Sequence, residues 1–178
     1  MPLVKTQAEG INLADTFAFT GTVSGAGGIL QIKQGTSTTQ YDTSSTSISS
    51  SALNVSITPS STSNRILIWY SFAGHCNASS DFVISTIYKN PTGGTGGGQV
   101  LTGGTDLSST NYKLSQTYNQ SGGGIVAQHS AHIIDSPSST SAQTYYIGFA
   151  KAGSGSGSAY FNINSATAVL TVMEILPA

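Results

Sequence analysis

The segment IVAQHSAHIID, residues 125–135, concentrates the side chains that could do chemistry: two histidines, a serine and an aspartate. His129 and His132 could ligate a metal, and Ser130, His132 and Asp135 are the residue types of a nucleophilic triad. The segment indicates a β-strand, however, and residues three apart on a strand point to opposite faces. We therefore predict that the two histidines share no ligand and are hydrogen-bonded in a sheet or at a subunit contact.

Two further patterns have alternatives of their own. His75 and Cys76 could form a thiol–imidazole pair, but adjacent residues of an extended chain point apart. Cys76 is the single cysteine, which excludes an intrachain disulfide and a cysteine zinc cluster, so we expect a small buried hydrophobe. GGTGGG at 93–98 has glycines like those of a phosphate-binding loop. It lacks the lysine and the following helix, so we predict a loop between strands.

Carboxylates and aromatic residues complete the candidates. A glycosidase needs a pair of carboxylates, but the seven acidic residues are widely separated along the chain. Aromatic residues could form a carbohydrate platform, although packing in the core or at an interface explains them better; they are Trp69, Tyr70, Tyr112 and Tyr118. The sequence thus predicts no catalytic residue, no metal site and no cofactor.

The overall composition narrows the class of protein. Charged residues make up 7% of the 178 residues, against about 25% in an average protein. Six basic residues are spread singly from Lys5 to Lys151 and form no patch, so we expect no binding to nucleic acid. No apolar run approaches the 18 residues of a membrane span, and MPLVKTQAEG lacks the apolar core of a signal peptide. An uncharged surface rich in Ser, Thr and Gly suits a particle or an extracellular protein.

The spacing of apolar residues predicts short antiparallel strands. Leu53, Val55 and Ile57 alternate with polar residues, which indicates a half-buried strand that Pro59 ends. The nearly continuous apolar run RILIWYSFA, residues 65–73, predicts a strand covered on both faces. The predicted strands are 29–32, 53–57, 65–73, 81–88, 99–102, 112–118, 125–134, 144–151, 159–163 and 168–176. We predict an all-β protein, an antiparallel jelly-roll-like β-sandwich, with a closed barrel as the alternative.

Residues 1–28 differ from the rest of the chain. Their apolar residues follow neither a helical nor a strand period, and the segment ends in GAGG. We predict an extended N-terminal arm over residues 1–28 and a sandwich domain over residues 29–178. An arm cannot bury its own apolar side chains, so we predict that they bind a partner; the candidates are Leu3, Val4, Ile11, Leu13, Phe17 and Phe19.

Three pieces of the sequence together resemble one class of protein. GINLADTFAFTGTVSG at 10–25 resembles the segment that leads into terminal domains of structural proteins in tailed bacteriophages, especially those of aquatic bacteria. SITPSSTSNRILIWYSF at 56–72 is similar to the strand–turn–strand of the same domains. TAVLTVMEI at 167–175 resembles their closing strand. The resemblance covers nearly the whole chain, and it is specific to virion proteins as a class.

The resemblance implies a non-enzymatic jelly-roll protein that assembles as a homotrimer on the virion. A tail fibre would carry a long repetitive shaft before such a domain, whereas only a 28-residue arm precedes it in this sequence. We therefore expect a capsid decoration, or cement, protein on the outer capsid surface, with the major capsid protein as its partner. The alternatives are a short tail-fibre or spike tip that recognises a host receptor, and a glycan hydrolase.

Overall fold

The computed structural model describes residues 28–108, 113–120 and 122–177, and strands dominate all three ranges. The strands are β1 Ile29–Ser37, β2 Tyr41–Thr43, β3 Ser49–Ile57, β4 Arg65–Cys76, β5 Asp81–Lys89, β6 Thr105–Asp106, β7 Ser115–Asn119, β8 Ile125–Asp135, β9 Gln143–Gly153, β10 Ala159–Phe161 and β11 Ala168–Ile175, with a 3-10 turn at Ile163–Ser165. Among the described residues, no helix is long and apolar enough to cross a membrane.

The strands form two antiparallel sheets. In the larger sheet β4 is central. Along one edge it pairs first with β11 and, further along, with β10; along the other edge it pairs with β8. Strand β1 pairs with the far side of β11. In the smaller sheet β9 lies between β3 and β5, and β5 also pairs with β6 and β7. Numbering the eight longest strands in chain order gives 1-8-3-6 in one sheet and 2-7-4-5 in the other. This interleaving is the double Greek key of a jelly roll, and it confirms the predicted sandwich rather than a barrel.

The core lies between the two sheets. It consists of the inward-pointing side chains, which occupy alternate positions along the strands of both sheets. Phe72 of β4 lies 4.7 Å from Phe161 of β10, and Phe149 of β9 lies 5.9 Å from Phe161, measured between ring centroids. All three phenylalanines are fully buried. Burying a side chain of this size stabilises the fold by about 2–3 kcal/mol, so these rings join the two sheets.

Two strand predictions were wrong. Residues 99–102 form no strand; only isolated bridges occur, from Val100 to Ser49 and from Thr102 to Gly93. The prediction failed because the glycines at 93–98 let this stretch fold back on the sandwich instead of extending along it. The predicted strand at 112–118 begins at Ser115 in the structure, and Tyr112 lies outside the described residues.

The prediction that residues 65–73 are covered on both faces was also wrong. Along β4 the burial alternates: Ile66, Ile68 and Tyr70 are buried, whereas Trp69 is 55% exposed. One face of β4 packs on the core and the other faces outward, as in most antiparallel sandwiches. The apolar run is continuous because β4 has apolar side chains on both faces. Those on the outward face are therefore left uncovered.

Glu174 of β11 holds the serine-rich loop at 58–64 in place. Its carboxylate is 1% exposed and accepts hydrogen bonds from the Ser60 amide at 2.6 Å, the Ser60 hydroxyl at 2.7 Å, Asn64 Nδ2 at 2.7 Å and Gln31 Nε2 at 2.6 Å. Burial raises the pKa of Glu174, but the hydrogen bonds from Asn64, Gln31 and Ser60 outweigh it and hold the pKa at about 2. These hydrogen bonds therefore stabilise the buried negative charge of Glu174 without a lysine or an arginine.

Replacing Gly74 with alanine is expected to lower the free energy of unfolding by about 2 kcal/mol. A Cβ at Gly74 would lie 2.5 Å from Cδ2 of His129, a fully buried ring that stacks on Phe72. Gly123→Ala is the matched control, because a Cβ there meets nothing within 4 Å. Urea unfolding of both variants measures the difference, and equal midpoints would contradict the prediction.

Candidate docking face on the larger sheet

The residues that the sequence analysis assigned to partner binding lie outside the described part of the chain. These residues are Leu3, Val4, Ile11, Leu13, Phe17 and Phe19. Their role stays a prediction, as does the boundary at residue 28. The structure describes the chain from Gly28 onward, and Gly28 leads directly into β1 at one edge of the larger sheet.

The histidines of β8 point to opposite faces, as predicted: His129 is buried and His132 is exposed. The Nδ1 atom of His129 lies 3.2 Å from the hydroxyl of Ser85 and 3.1 Å from that of Ser115. Burial lowers the pKa of His129 to about 4, so its ring is neutral at pH 7. Ser85 is also fully buried, so this serine–histidine pair lies in the core, away from any substrate.

The residues of the hypothetical triad have other partners. The hydroxyl of Ser130 accepts a hydrogen bond from the Trp69 indole at 3.2 Å. Asp135 binds Lys89 Nζ through both carboxylate oxygens at 3.0 Å and accepts a hydrogen bond from Tyr145 at 2.8 Å. Burial, and then the neighbouring Asp135, raise the pKa of Tyr145. This cluster ties the end of β8 to the smaller sheet and holds Asp135 on the face of β8 opposite to Ser130 and His132.

Two other carboxylates in the described residues each have a lysine of their own. Asp81 is fully buried, lies 3.4 Å from Lys151 Nζ, and accepts a hydrogen bond from the Gly157 amide at 3.0 Å. Asp106 lies 2.7 Å from Lys113 Nζ. Burial raises the pKa of Asp106, and the hydrogen bonds from Lys113, Thr86 and Ser108 more than offset this, so the pKa falls below its usual range. These acids are engaged in fixing loops to strands.

The remaining sequence candidates are also accounted for. Cys76 is buried and His75 points to the other face of β4, as the sequence predicts. Burial raises the pKa of the Cys76 thiol, which keeps it protonated. The loop at 93–98 connects β5 to β6, as expected. Within residues 28–108, 113–120 and 122–177, no three His, Cys, Asp or Glu side chains are grouped so that they could hold a metal ion.

The four aromatic residues do not form one platform. Tyr70 is buried, with its hydroxyl 2.8 Å from that of Ser85, and Tyr118 stacks on Phe82 of the smaller sheet at 4.4 Å. Tyr112 lies outside the described residues. Of the three that the structure describes, Trp69 alone lies on the outward side of the larger sheet, where it is 55% exposed. The site to examine is therefore the surface around Trp69.

That surface is the outward side of β1, β11, β4 and β8, which we call the outer face. Strand register and side-chain alternation place its residues in cross-sheet rows. They are Ile32, Met173, Leu67 and Ile134 in the first row; Gln34, Thr171, Trp69 and His132 in the second; Thr36, Val169, Ser71 and Ser130 in the third; Ala73 and Gln128 in the fourth; and Tyr160, His75 and Val126 in the fifth. The first row is wholly apolar, and the second and third are neutral and polar around Trp69.

A shallow open depression lies beside Trp69. It has a volume of about 250 Å³ and is lined by Gln34, Trp69, Tyr70, Ser71, Val169 and Thr171. Gln34 donates a hydrogen bond to the hydroxyl of Thr171 at 2.9 Å, and the Trp69 indole donates to Ser130, so the polar rim is already internally bonded. The arrangement can accept an apolar or aromatic group from a partner without breaking a strong polar contact.

Apolar exposure is concentrated on the larger sheet. Of the ten large hydrophobic residues that are exposed in the described part of the chain, seven belong to its strands: Ile29, Leu30, Ile32, Trp69, Ile125, Val126 and Ile134. Exposed apolar residues scattered singly are normal, whereas a contiguous group marks an interaction site. Ile32, Trp69, Val126 and Ile134 belong to the outer face, whereas Ile125 pairs with the inward Cys76 and points to the other side of β8.

The smaller sheet contrasts with this, because its own loops cover part of its outward side. Gln99 accepts a hydrogen bond from the Ser50 amide at 2.7 Å, and the Leu101 amide donates to Ile48 at 2.8 Å. A Cβ on Gly148 of β9 would meet Ile48, Thr86 and Leu101 within 4 Å. Residues 99–102, which the sequence predicted as a strand, thus cover part of the smaller sheet. The outer face of the larger sheet stays uncovered.

The sequence analysis missed the outer face, although a signal for it existed. Residues at alternate positions of β4, from Leu67 through Trp69, are large and apolar on the side opposite the core residues. A half-exposed antiparallel strand should have polar residues there. An apolar run in such a strand therefore indicates either a second covered face or an interface, and only the pairing of the strands distinguishes the two.

Comparisons with known proteins gave structural matches alone. No protein-family model and no curated protein matches the chain. The chain is similar to solved structures of infectious bursal disease virus: the Gx strain, at 12% identity and a TM-score of 0.37, and a VP2 subviral particle, at 13% identity and a TM-score of 0.36. The Gt strain matches at 11% identity and a TM-score of 0.37.

These matches cover 83%, 83% and 93% of this chain, respectively. The chain spans only 41%, 38% and 44% of the matched chains. Similarities of this size show no family, and we base no functional argument on them.

Proposed function

We propose that this chain is a non-enzymatic structural protein of a phage virion, most specifically a homotrimeric capsid decoration protein. In this proposal it binds the major capsid protein on the outer surface of the shell and stabilises the particle. The observation that carries the proposal is the outer face, a surface with one apolar row, an exposed Trp69 and a single permanent charge, which the chain's own described residues leave uncovered. A surface of this kind suits a protein that works within an assembly.

The chemistry of the described side chains supports a structural role. Asp81, Asp106 and Asp135 each bind a lysine, and the carboxylate of Glu174 is enclosed by hydrogen-bond donors. His129 and Ser85 are buried together in the core. These groups are thus used to connect strands and loops, which is what a durable shell component requires.

The resemblance to phage virion proteins gains a physical basis from the same contacts. The loop in SITPSSTSN and the closing strand in TAVLTVMEI meet at Glu174, which accepts hydrogen bonds from Ser60 and Asn64. The two pieces are more than 100 residues apart in the chain, yet each requires the other. Two of the three pieces that carry the resemblance thus form one local structure in this chain.

Attachment through residues 1–28 would draw on multivalency. A homotrimer presents three copies of the segment, so that once one copy is bound the others act at high effective concentration. The segment has three charged residues, Lys5, Glu9 and Asp15, so apolar contacts would dominate its binding. Weak contacts by single segments would then add to firm attachment, as a cement protein needs.

Deleting residues 1–28 is expected to leave a folded trimer whose affinity for decoration-free particles falls at least about 100-fold, because the three anchors are lost together. Co-sedimentation of the labelled protein with particles measures the affinity, and light scattering confirms the mass. The matched control keeps the full chain and replaces Lys5 and Glu9 with serine. It retains the apolar residues, so we expect this variant to retain binding. Unchanged binding by the deletion variant would contradict the proposed role of the segment.

One observation favours a second candidate, a short tail-fibre or spike tip that recognises a host glycan. The exposed Trp69 ring beside a neutral polar depression could stack on a sugar. Gold-labelled antibody against the chain, imaged on intact particles by electron microscopy, separates the two functions. Label over the shell supports decoration, and label confined to the tail supports the receptor-binding role.

A further inference from the structure

The outer face has two apolar margins with an aromatic residue between them. One margin lies on β1, where Ile32 is 55% exposed, and the other lies on β8, where Val126 and Ile134 are also exposed. Trp69 lies on β4, between β11 and β8. An exposed tryptophan in the middle of an interaction surface is a usual anchor of a protein interface.

The charges on this face limit what can cover it. Along the paired strands, the outward positions include no carboxylate, and the one permanent charge is Arg65 at the end of β4. A strongly acidic or basic partner would find nothing to pair with there. Copies of the chain that bring this face together around a common axis meet no strong repulsion, since no copy carries a permanent charge near the centre of the face.

The size of the face also fits a copy of the chain. Four strands about 4.8 Å apart and about ten residues long cover roughly 600 Å². A stable interface buries about 800 Å² per partner, so the face with its margins supplies most of the required area. A sugar ring in the 250 Å³ depression would leave both margins exposed to water.

We infer that the outer face is a subunit interface, buried against a second copy of this chain with Trp69 near its centre. The inference rests on the proposed function in so far as it supplies the interface of the homotrimer. In a closed threefold ring the contact is heterologous, so the β1 margin of one copy meets the β8 margin of the next. Trp69 of each copy then faces the common axis.

The chain carries its own reporter for this interface, because Trp69 is its single tryptophan. We expect the fluorescence of the full chain to be blue-shifted and poorly quenched by acrylamide at high protein concentration. Dilution should separate the copies, shift the emission to the red and increase quenching. Sedimentation velocity on the same samples should show the mass falling over the same concentration range.

Two substitutions at exposed positions test the interface without touching the core. Trp69→Lys should raise the dissociation constant of the oligomer by about 100-fold, because it places a charge where an aromatic anchor was buried. Ile134→Lys should weaken association while keeping the Trp69 reporter. Tyr118→Lys is the matched control: this aromatic residue is 43% exposed but lies on the smaller sheet, so its variant should associate as the unmodified chain does.

Several outcomes would overturn the inference. A chain that is monomeric with an exposed Trp69 at all concentrations would do so. Protection of Trp69 from acrylamide that does not depend on protein concentration and disappears when residues 1–28 are deleted would also overturn it. That result would show that residues 1–28 cover the outer face. Quenching of a monomer that changes on adding a hexose would assign the depression to a sugar instead. A trimer whose mass is unaffected by Trp69→Lys would refute the interface while leaving the proposed function intact.

Discussion

Replacing Glu174 with alanine is expected to lower the free energy of unfolding by about 3–5 kcal/mol. The substitution removes the acceptor for the Ser60 amide and hydroxyl, Asn64 Nδ2 and Gln31 Nε2. Asn64 is itself buried, and its Nδ2 would keep only the longer hydrogen bond to the Ser60 hydroxyl, at 3.1 Å, away from water. The loop at 58–64 would then lose its attachment to β11 and keep only the hydrogen bond from Gln31 Nε2 to the Thr58 carbonyl as its side-chain link to β1.

Chemical denaturation followed by far-ultraviolet circular dichroism measures this loss. Glu174→Gln is the matched control, since it keeps the shape and one oxygen acceptor but removes the charge; we expect about half the effect of the alanine variant. Limited proteolysis should cut the alanine variant within residues 58–64 first. A loss under about 1 kcal/mol in the alanine variant would show that Glu174 does not anchor the loop.

The second large effect is acid destabilisation governed by His129. Burial holds the pKa of His129 at about 4 in the folded chain, below its ordinary value of 6.5. Between these values the unfolded chain binds a proton that the folded chain does not, so stability falls as the pH falls. The difference amounts to about 3 kcal/mol lost between pH 6.5 and pH 4.

Glu174 adds a second step at lower pH. Its pKa is about 2 in the folded chain against 4.5 ordinarily, so the stability from its charged form is present above pH 4.5 and is lost as the pH falls towards 2. Urea midpoints measured from pH 7 to pH 2.5 should therefore fall in two stages. His129→Gln should remove the first stage and Glu174→Gln the second. A His129→Gln variant with the unmodified slope between pH 6.5 and 4 would contradict the assignment.

The sequence predicted well those features that depend on local periodicity. Alternation at Leu53, Val55 and Ile57 marked β3, Pro59 marked its end, and the odd spacing of His129 and His132 placed them on opposite faces. These inferences hold because side-chain direction in a strand is fixed by the backbone alone. The same rule underlies the correct prediction of a sandwich.

The sequence predicted poorly the features that depend on pairing between distant segments. The Glu174 anchor joins residues more than 100 positions apart, and no local pattern indicates that a lone glutamate will be enclosed by Ser60 and Asn64. The exposed side of β4 was mistaken for a covered one because composition does not reveal which neighbour lies on each face. The prediction of a strand at 99–102 failed because the glycines that precede it let the chain fold back, which strand propensity does not describe.

We propose that the chain decorates the outer surface of a phage shell as a trimer, and a cryo-electron microscopy reconstruction of the intact particle tests this most directly. We expect threefold clusters of jelly-roll density standing on the shell, with the outer faces turned towards each cluster axis and chain density running from Gly28 to the capsid surface. Jelly-roll density confined to the tail, with a bare shell, would contradict it.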